Sequence, residues 1–208
     1  MKKNILWILL VVITTGLYAA TSGNYTIKVT IVEEQVGITI EASELNLGYV
    51  VKGTSITSTG STAVKNVGAV NINLKLRISG KPSGWSVGTN SLSDVGQDKF
   101  VLATVFHEWN GLIVSTNPYA CFDSNDILTE SDKTAGYVGG GSGNNYFVCE
   151  GIPNQTVATP NYADGYMVGP SQQVNNHFFF NAPTSLSNSQ QYGAEQTITV
   201  TVTGIQAQ

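Results

Sequence analysis

The segment Lys65–Trp85 reads KNVGAVNINLKLRISGKPSGW. From Val70 onward Val70, Ile72, Leu74, Leu76 and Ile78 alternate with Asn71, Asn73, Lys75 and Arg77. Successive side chains of a strand point to opposite faces, so this period predicts a half-buried β-strand with one face in a core and one in water. Gly80-Lys81-Pro82-Ser83-Gly84 then has turn composition, and Trp85 follows it. A tryptophan just past a turn can close the end of a core, provided its indole N–H finds a partner. The alternative is a sugar-stacking platform, but no aromatic residue adjoins Trp85 in the sequence. On its own residues the segment reads as scaffold.

The same period recurs along the chain. In NYTIKVTIV, Tyr25, Ile27, Val29 and Ile31 share one face and Thr26, Lys28 and Thr30 the other. In VGITIEA, Val36, Ile38 and Ile40 oppose Thr39 and Glu41, and in TITVTVT, Ile198, Val200 and Val202 oppose a row of threonines. KFVLATVFHEW is apolar on both faces, as a central strand is, and NHFFFNAP reads as a short aromatic strand ended by Pro183. No window of helical period follows the first residues. Short strands between Gly/Ser/Asn/Pro turns predict an all-β fold, an antiparallel β-sandwich. Between about residues 110 and 175 the pattern breaks, so this stretch is expected to be a long irregular insertion between two core strands.

The chain opens MKKNILWILLVVITTGLYAA, with two lysines, a short apolar run and small residues at Ala19 and Ala20. This is the layout of a bacterial-type secretory signal, giving residues 1–20 as a signal peptide and 21–208 as one exported domain. An uncleaved anchor is the alternative, although the apolar run is shorter than the roughly 20 residues a span needs. The expected mature chain has no transmembrane segment. Without Lys2 and Lys3, eight of the ten basic residues remain against 14 acidic ones. That balance offers no footprint for nucleic acid or an anionic membrane surface. The expected location is secreted or at the cell surface.

Lys65-Asn66-x-Gly68 before an alternating strand, Gly84-Trp85 after it, and a terminal Thr/Val strand together resemble Ig-like sandwiches of bacterial surface and fibre proteins. The resemblance implies architecture and address, with no catalytic residues attached. Gly84-Trp85 is also similar to the tryptophan motif of wall-binding WxL domains. Here Trp85-Ser86-Val87 lacks the leucine, so wall binding is not implied.

In an oxidising compartment Cys121 and Cys149 most simply form one disulfide across the insertion; two buried thiols are the alternative. The run DSNDILTESD gathers Asp123, Asn125, Asp126, Glu130 and Asp132, oxygen ligands of the kind calcium takes, but without EF-hand spacing. A solvated acidic turn is the other account, and no cofactor is otherwise called for. Tyr137, Tyr146 and Tyr162 stand among asparagines and glycines in the insertion, where they could bind glycan or protein or pack it down. His107 and Glu108 are sequence neighbours and cannot form a local pair on a strand. No nucleophile-elbow or zinc-protease signature occurs, so the chain is not expected to be an enzyme.

The expected function is that of a secreted structural subunit, acting on copies of itself or on cell-surface components. Tyr25, Ile27, Val29 and Ile31 form the candidate self-association strand, exchanged between subunits to build filaments. The same strand could instead pair within its own sandwich. The alternative function is a glycan- or protein-binding module using the insertion.

Overall fold

The computed structural model describes residues 36–107, 121–136, 146–148 and 165–207, all within the compact unit Glu33–Gln208. The strands are β1 (Ile38–Glu41), β2 (Ser55–Thr57), β3 (Thr62–Asn66), β4 (Ile72–Gly80) and β5 (Ser86–Val87). They continue as β6 (Lys99–His107), β7 (Lys133–Thr134), β8 (Gln173–Asn181) and β9 (Thr199–Gln206). The all-β expectation holds. One sheet has the order β1-β3-β8-β6-β5, with β2 also on β8, and the second is β7-β4-β9.

The alternation read from the opening segment becomes β4. Ile72, Leu74, Leu76 and Ile78 are all 2% exposed or less, while the residues between them face outward. Each such burial stabilises by roughly 1.5–3 kcal/mol before entropy is counted. Opposite them lie Val64 of β3, Phe100, Leu102 and Phe106 of β6, and Val174 and Phe180 of β8. The two sheets therefore share one core. Val70 was expected to be the first inward residue, but it lies half-buried in the turn before β4, which starts at Ile72.

That turn is fixed by Asn66. Its buried amide donates to the carbonyls of Val70 and Val168, both at 2.8 Å, and its Oδ1 accepts from the Gly68 N–H. One side chain thus ties the β3–β4 crossing to the segment before β8. Asn66→Ala is expected to cost about 2–3 kcal/mol, since it removes three hydrogen bonds and leaves buried groups unmatched. Urea unfolding measures this, and a loss below about 0.5 kcal/mol would contradict the role.

Trp85 is buried against Phe100, with ring centroids 5.7 Å apart, and its Nε1–H donates to Gln191 Oε1 at 3.1 Å. It is the core plug that its place in the sequence suggests. Trp85→Phe keeps the stack and deletes the hydrogen bond, so thermal unfolding should show a loss of about 1 kcal/mol.

Residues 100–106 of β6 are buried on both faces. Val101, Ala103 and Val105 turn away from the shared core into a second cluster with Phe179, Cys121, Phe122 and Ile127. β8 is the other two-sided strand, and it starts at Gln173, earlier than the aromatic run alone suggests. Pro183 follows its end.

Two expectations are corrected. The sheets are not wholly antiparallel, because β5 runs parallel to β6, pairing Ser86 with Lys99 and Val87 with Phe100. The loop between them brings the chain back in the same direction, and the stack of Trp85 on Phe100 fixes that approach. Val36 and Ile40, expected in the core, are 45% and 44% exposed; among the described residues β1 pairs with β3 alone, at the rim of its sheet.

Candidate functional site

The two long sides of the shared core differ. On one, the segment after Cys121 crosses from sheet to sheet. Ile127 bridges Ala103 and the Leu128 N–H donates to Leu102 O on β6; the Ile78 N–H of β4 donates to Thr129 O; then β7 pairs with Leu76 and Lys75 of β4. Lys81–Glu130 and Lys75–Asp132 ion pairs reinforce the crossing. This side is closed.

The opposite side is bounded by β1 and β9. β9 pairs with β4 from Ile72↔Gln206 to Gly80↔Thr199, and among the described residues no strand pairs with its outer edge. This register puts Val200, Val202 and Gly204 on the face of Ile78, Leu76 and Leu74. Val200 and Val202 pack on the core but are only partly buried, unlike their partners on β4. Among the described residues, the two rims meet closely at Gly204. A Cβ placed there would lie 2.9 Å from Ile38 Cγ2, 3.1 Å from Ile72 Cδ1 and 3.5 Å from Val36 Cγ1. Beyond that point Ile40, opposite Val64 of β3, is half exposed. The result is an apolar seam, pinched at one end.

A second feature lies where the insertion is rooted. Asp126 is fully buried in a short 3₁₀ turn, Ser124–Asp126, capped by Asp123. Its Oδ2 accepts from the Asp123 N–H at 2.8 Å and its Oδ1 from the Val148 N–H at 3.1 Å. Burial pushes this carboxyl up to about 8, outweighing the backbone donors that favour its charged form. Lys133 lies beside it, donating to Ile127 O at 2.6 Å and standing 4.9 Å over the Tyr146 ring. Desolvation draws the Lys133 ammonium below its ordinary value, and the charges of Asp126 and Asp123 oppose this.

The roots themselves converge. The Phe106 N–H donates to Phe147 O, the Gly136 N–H to Tyr146 O, the Leu74 N–H to Gly165 O and the Ala135 N–H to Leu74 O. Gly165 has φ +70°, and a Cβ there would sit 2.5 Å from the Phe106 ring, so the chain passes only as glycine. Described residues on each side of the stretches 137–145 and 149–164 thus meet beside Phe106, near the end of β6 that leads into 108–120.

The candidates from the sequence separate. Tyr25, Ile27, Val29 and Ile31, with Tyr137, Tyr162 and Cys149, lie outside the described residues; Tyr146 is half-buried against Phe147. Cys121 is buried in the second cluster, and no cysteine is free among the described residues. The five oxygen-bearing residues have divergent roles. Asp132 pairs with Lys75 and Arg77, and Glu130 with Lys81. Asp126 faces backbone, while Asn125 donates to the capping Asp123. Among the described residues no three His, Cys, Asp or Glu side chains form a group that could hold a metal. His177 is buried on β8, and His107 ends β6 opposite Asn175. No helix among the described residues is long and apolar enough to cross a membrane.

The role of β9 as a rim was not legible beforehand, although Gly204, interrupting a Thr/Val alternation, is the kind of residue that marks close approach. No protein-family model matches the chain, and no curated protein matches it in sequence.

Proposed function

We propose that this chain is an exported structural subunit, an Ig-like β-sandwich that works by associating with copies of itself at the cell surface. The observation that supports this is the seam between β1 and β9. One side of the core is crossed by chain, whereas this side leaves partly covered valines beside an unpaired strand edge among the described residues. Such an edge is a template for another strand. The chain also carries a strand-like segment of matching character, Tyr25–Ile31, ahead of β1. In this reading residues 1–20 direct export, and a Cys121–Cys149 disulfide holds the insertion. The anchoring of Val148 to Asp126, five residues after Cys121, supports that pairing. The test is negative-stain electron microscopy with size-exclusion chromatography of the chain from Thr21, purified from an oxidising compartment. Filaments or ordered sheets are expected; a monomer at every concentration and salt condition would overturn the reading.

The convergence of the insertion's roots favours a second reading, in which its loops bind glycan or protein. Here Tyr137→Ala, Tyr146→Ala and Tyr162→Ala lower adhesion to the producing cell's envelope without altering assembly. Unchanged adhesion in all three would remove it.

A further inference from the structure

We infer that the segment Glu44–Lys52 pairs antiparallel with the same segment of a second copy of this chain, about a two-fold axis at Gly48. The inference rests on the self-association reading and adds the contact that joins assembled chains side by side.

The segment reads ELNLGYVVK and connects β1 to β2 without itself joining a sheet. Its far end is fixed where the Thr54 N–H and Oγ1–H both donate to Val51 O and the Gly53 N–H donates to Pro183 O. Its middle is held by Leu47 and Val50, which pack on the shared core. A segment anchored in this way offers its outward residues without a large ordering cost.

Those outward residues are apolar where a solvated loop is usually polar. Tyr49 is 100% exposed, and Val51, two residues on, is 68% exposed. From Glu44 to Val50 the Gly48 N–H donates to Asn46 Oδ1 at 2.7 Å, and no other backbone group there is hydrogen-bonded among the described residues. The backbone is therefore open to pairing with another chain.

The sequence is also complementary to its own reverse. About Gly48, Glu44 meets Lys52 of the second copy, Leu45 meets its Val51 and Leu47 meets its Tyr49. Glu44 and Lys52 are exposed, and neither has an ion pair among the described residues. The two-fold contact supplies one at each end. A parallel contact would set Glu44 on Glu44 and Lys52 on Lys52, so charge selects the antiparallel one. At the axis, a Cβ added to Gly48 would meet nothing within 4 Å, which leaves room for a second backbone.

The contact is small. Nine residues a side fall short of the roughly 20–30 in a stable interface, so dilute free molecules stay apart. Along an assembly many copies of the contact act together and hold neighbouring filaments side by side.

Charge reversal tests this in the chain from Thr21, with Glu44→Lys and Lys52→Glu made separately. Electron microscopy should show laterally joined filaments in the parent and single filaments in each variant. Glu44→Lys makes the chain less negative, so general repulsion between filaments predicts the opposite change there. Mixing the two variants restores opposite charges at both ends, and light scattering should rise about tenfold over either alone. Lateral joining that survives in both variants, or single filaments in the parent, would overturn the inference and leave self-association standing. Loss without recovery on mixing would mean that the segment meets a different surface, which overturns the two-fold pairing. If no filaments form, the self-association reading fails, and amide chemical shifts of Glu44–Lys52 decide the pairing as the chain is raised to about 1 mM. Shifts that move with concentration keep it; shifts that stay constant overturn it as well.

Discussion

Deleting Thr21–Glu33 is expected to turn an assembling chain into a folded monomer. The shared core is built from Ile38 through Val202, so its described members all survive the deletion. What is lost is a segment of alternating sequence with four apolar side chains, each worth roughly 1.5–3 kcal/mol when fully buried. Part of that gross energy offsets the ordering of the strand and the lost freedom of two molecules. A surplus of about 4 kcal/mol corresponds to roughly a thousandfold in association. Sedimentation velocity should therefore show the polymer gone across the accessible concentration range. Circular dichroism and urea unfolding should show the β-fold retained, with a cooperative transition. Polymers of unchanged size would exclude the strand from the contact. A monomer that no longer unfolds cooperatively would mean that the segment belongs to the fold of its own chain.

The second large effect is at Asp126. Alanine there removes the acceptors of the Asp123 and Val148 N–H groups. Each buried donor left unmatched costs about 1–3 kcal/mol, so Asp126→Ala should lose about 4 kcal/mol. Asp126→Asn keeps one acceptor and should lose about half as much. The carboxyl also makes stability depend on pH. It titrates at about 8 in the folded chain against 3.8 for an ordinary aspartate. Between those values the folded state holds a proton that the unfolded chain has released, so rising pH favours unfolding. The contribution is fully present below about pH 4 and is lost as pH rises through about 8. Asp94, held low chiefly by Lys99, and Asp132, held low chiefly by Lys75, act oppositely. Their contribution is present above the usual carboxylate range and is lost as pH falls through their lowered values. Thermal unfolding should thus show a midpoint that declines from pH 5 to pH 8 in the parent chain, with the decline flattened in Asp126→Asn. An equal decline in both would remove Asp126 as the cause.

The difference between what was legible in the sequence and what was not follows from the range of the forces involved. β4 was readable because a strand with one face in a core must repeat every two residues, and nothing interrupts that period from Ile72 to Ile78. β6 was readable from being apolar on both faces. Trp85 declared its role through its place after a turn. β1 has the same alternation as β4, yet Val36 and Ile40 are half exposed, because pattern records which residues share a face and not whether anything lies opposite. The crossing through Ile127–Thr134 escaped for another reason. It is made of one- and two-residue backbone bridges, too short to impose a period. Asp126 looked like one oxygen ligand among five, whereas burial under Val148 depends on chain 22 residues away. A local signal did exist: Asp123 and Asp126 have the three-residue spacing of a capping box.

The most direct measurement of the seam's role is amide hydrogen exchange along Val200–Gln206, followed against protein concentration in the chain from Thr21. If β9 is the edge that receives a strand from another copy, its outward amides exchange quickly in dilute solution and become protected as assembly proceeds. In the Thr21–Glu33 deletion they should stay quick at every concentration. Protection that is already complete in the dilute monomer, or that never changes on assembly, would contradict the account.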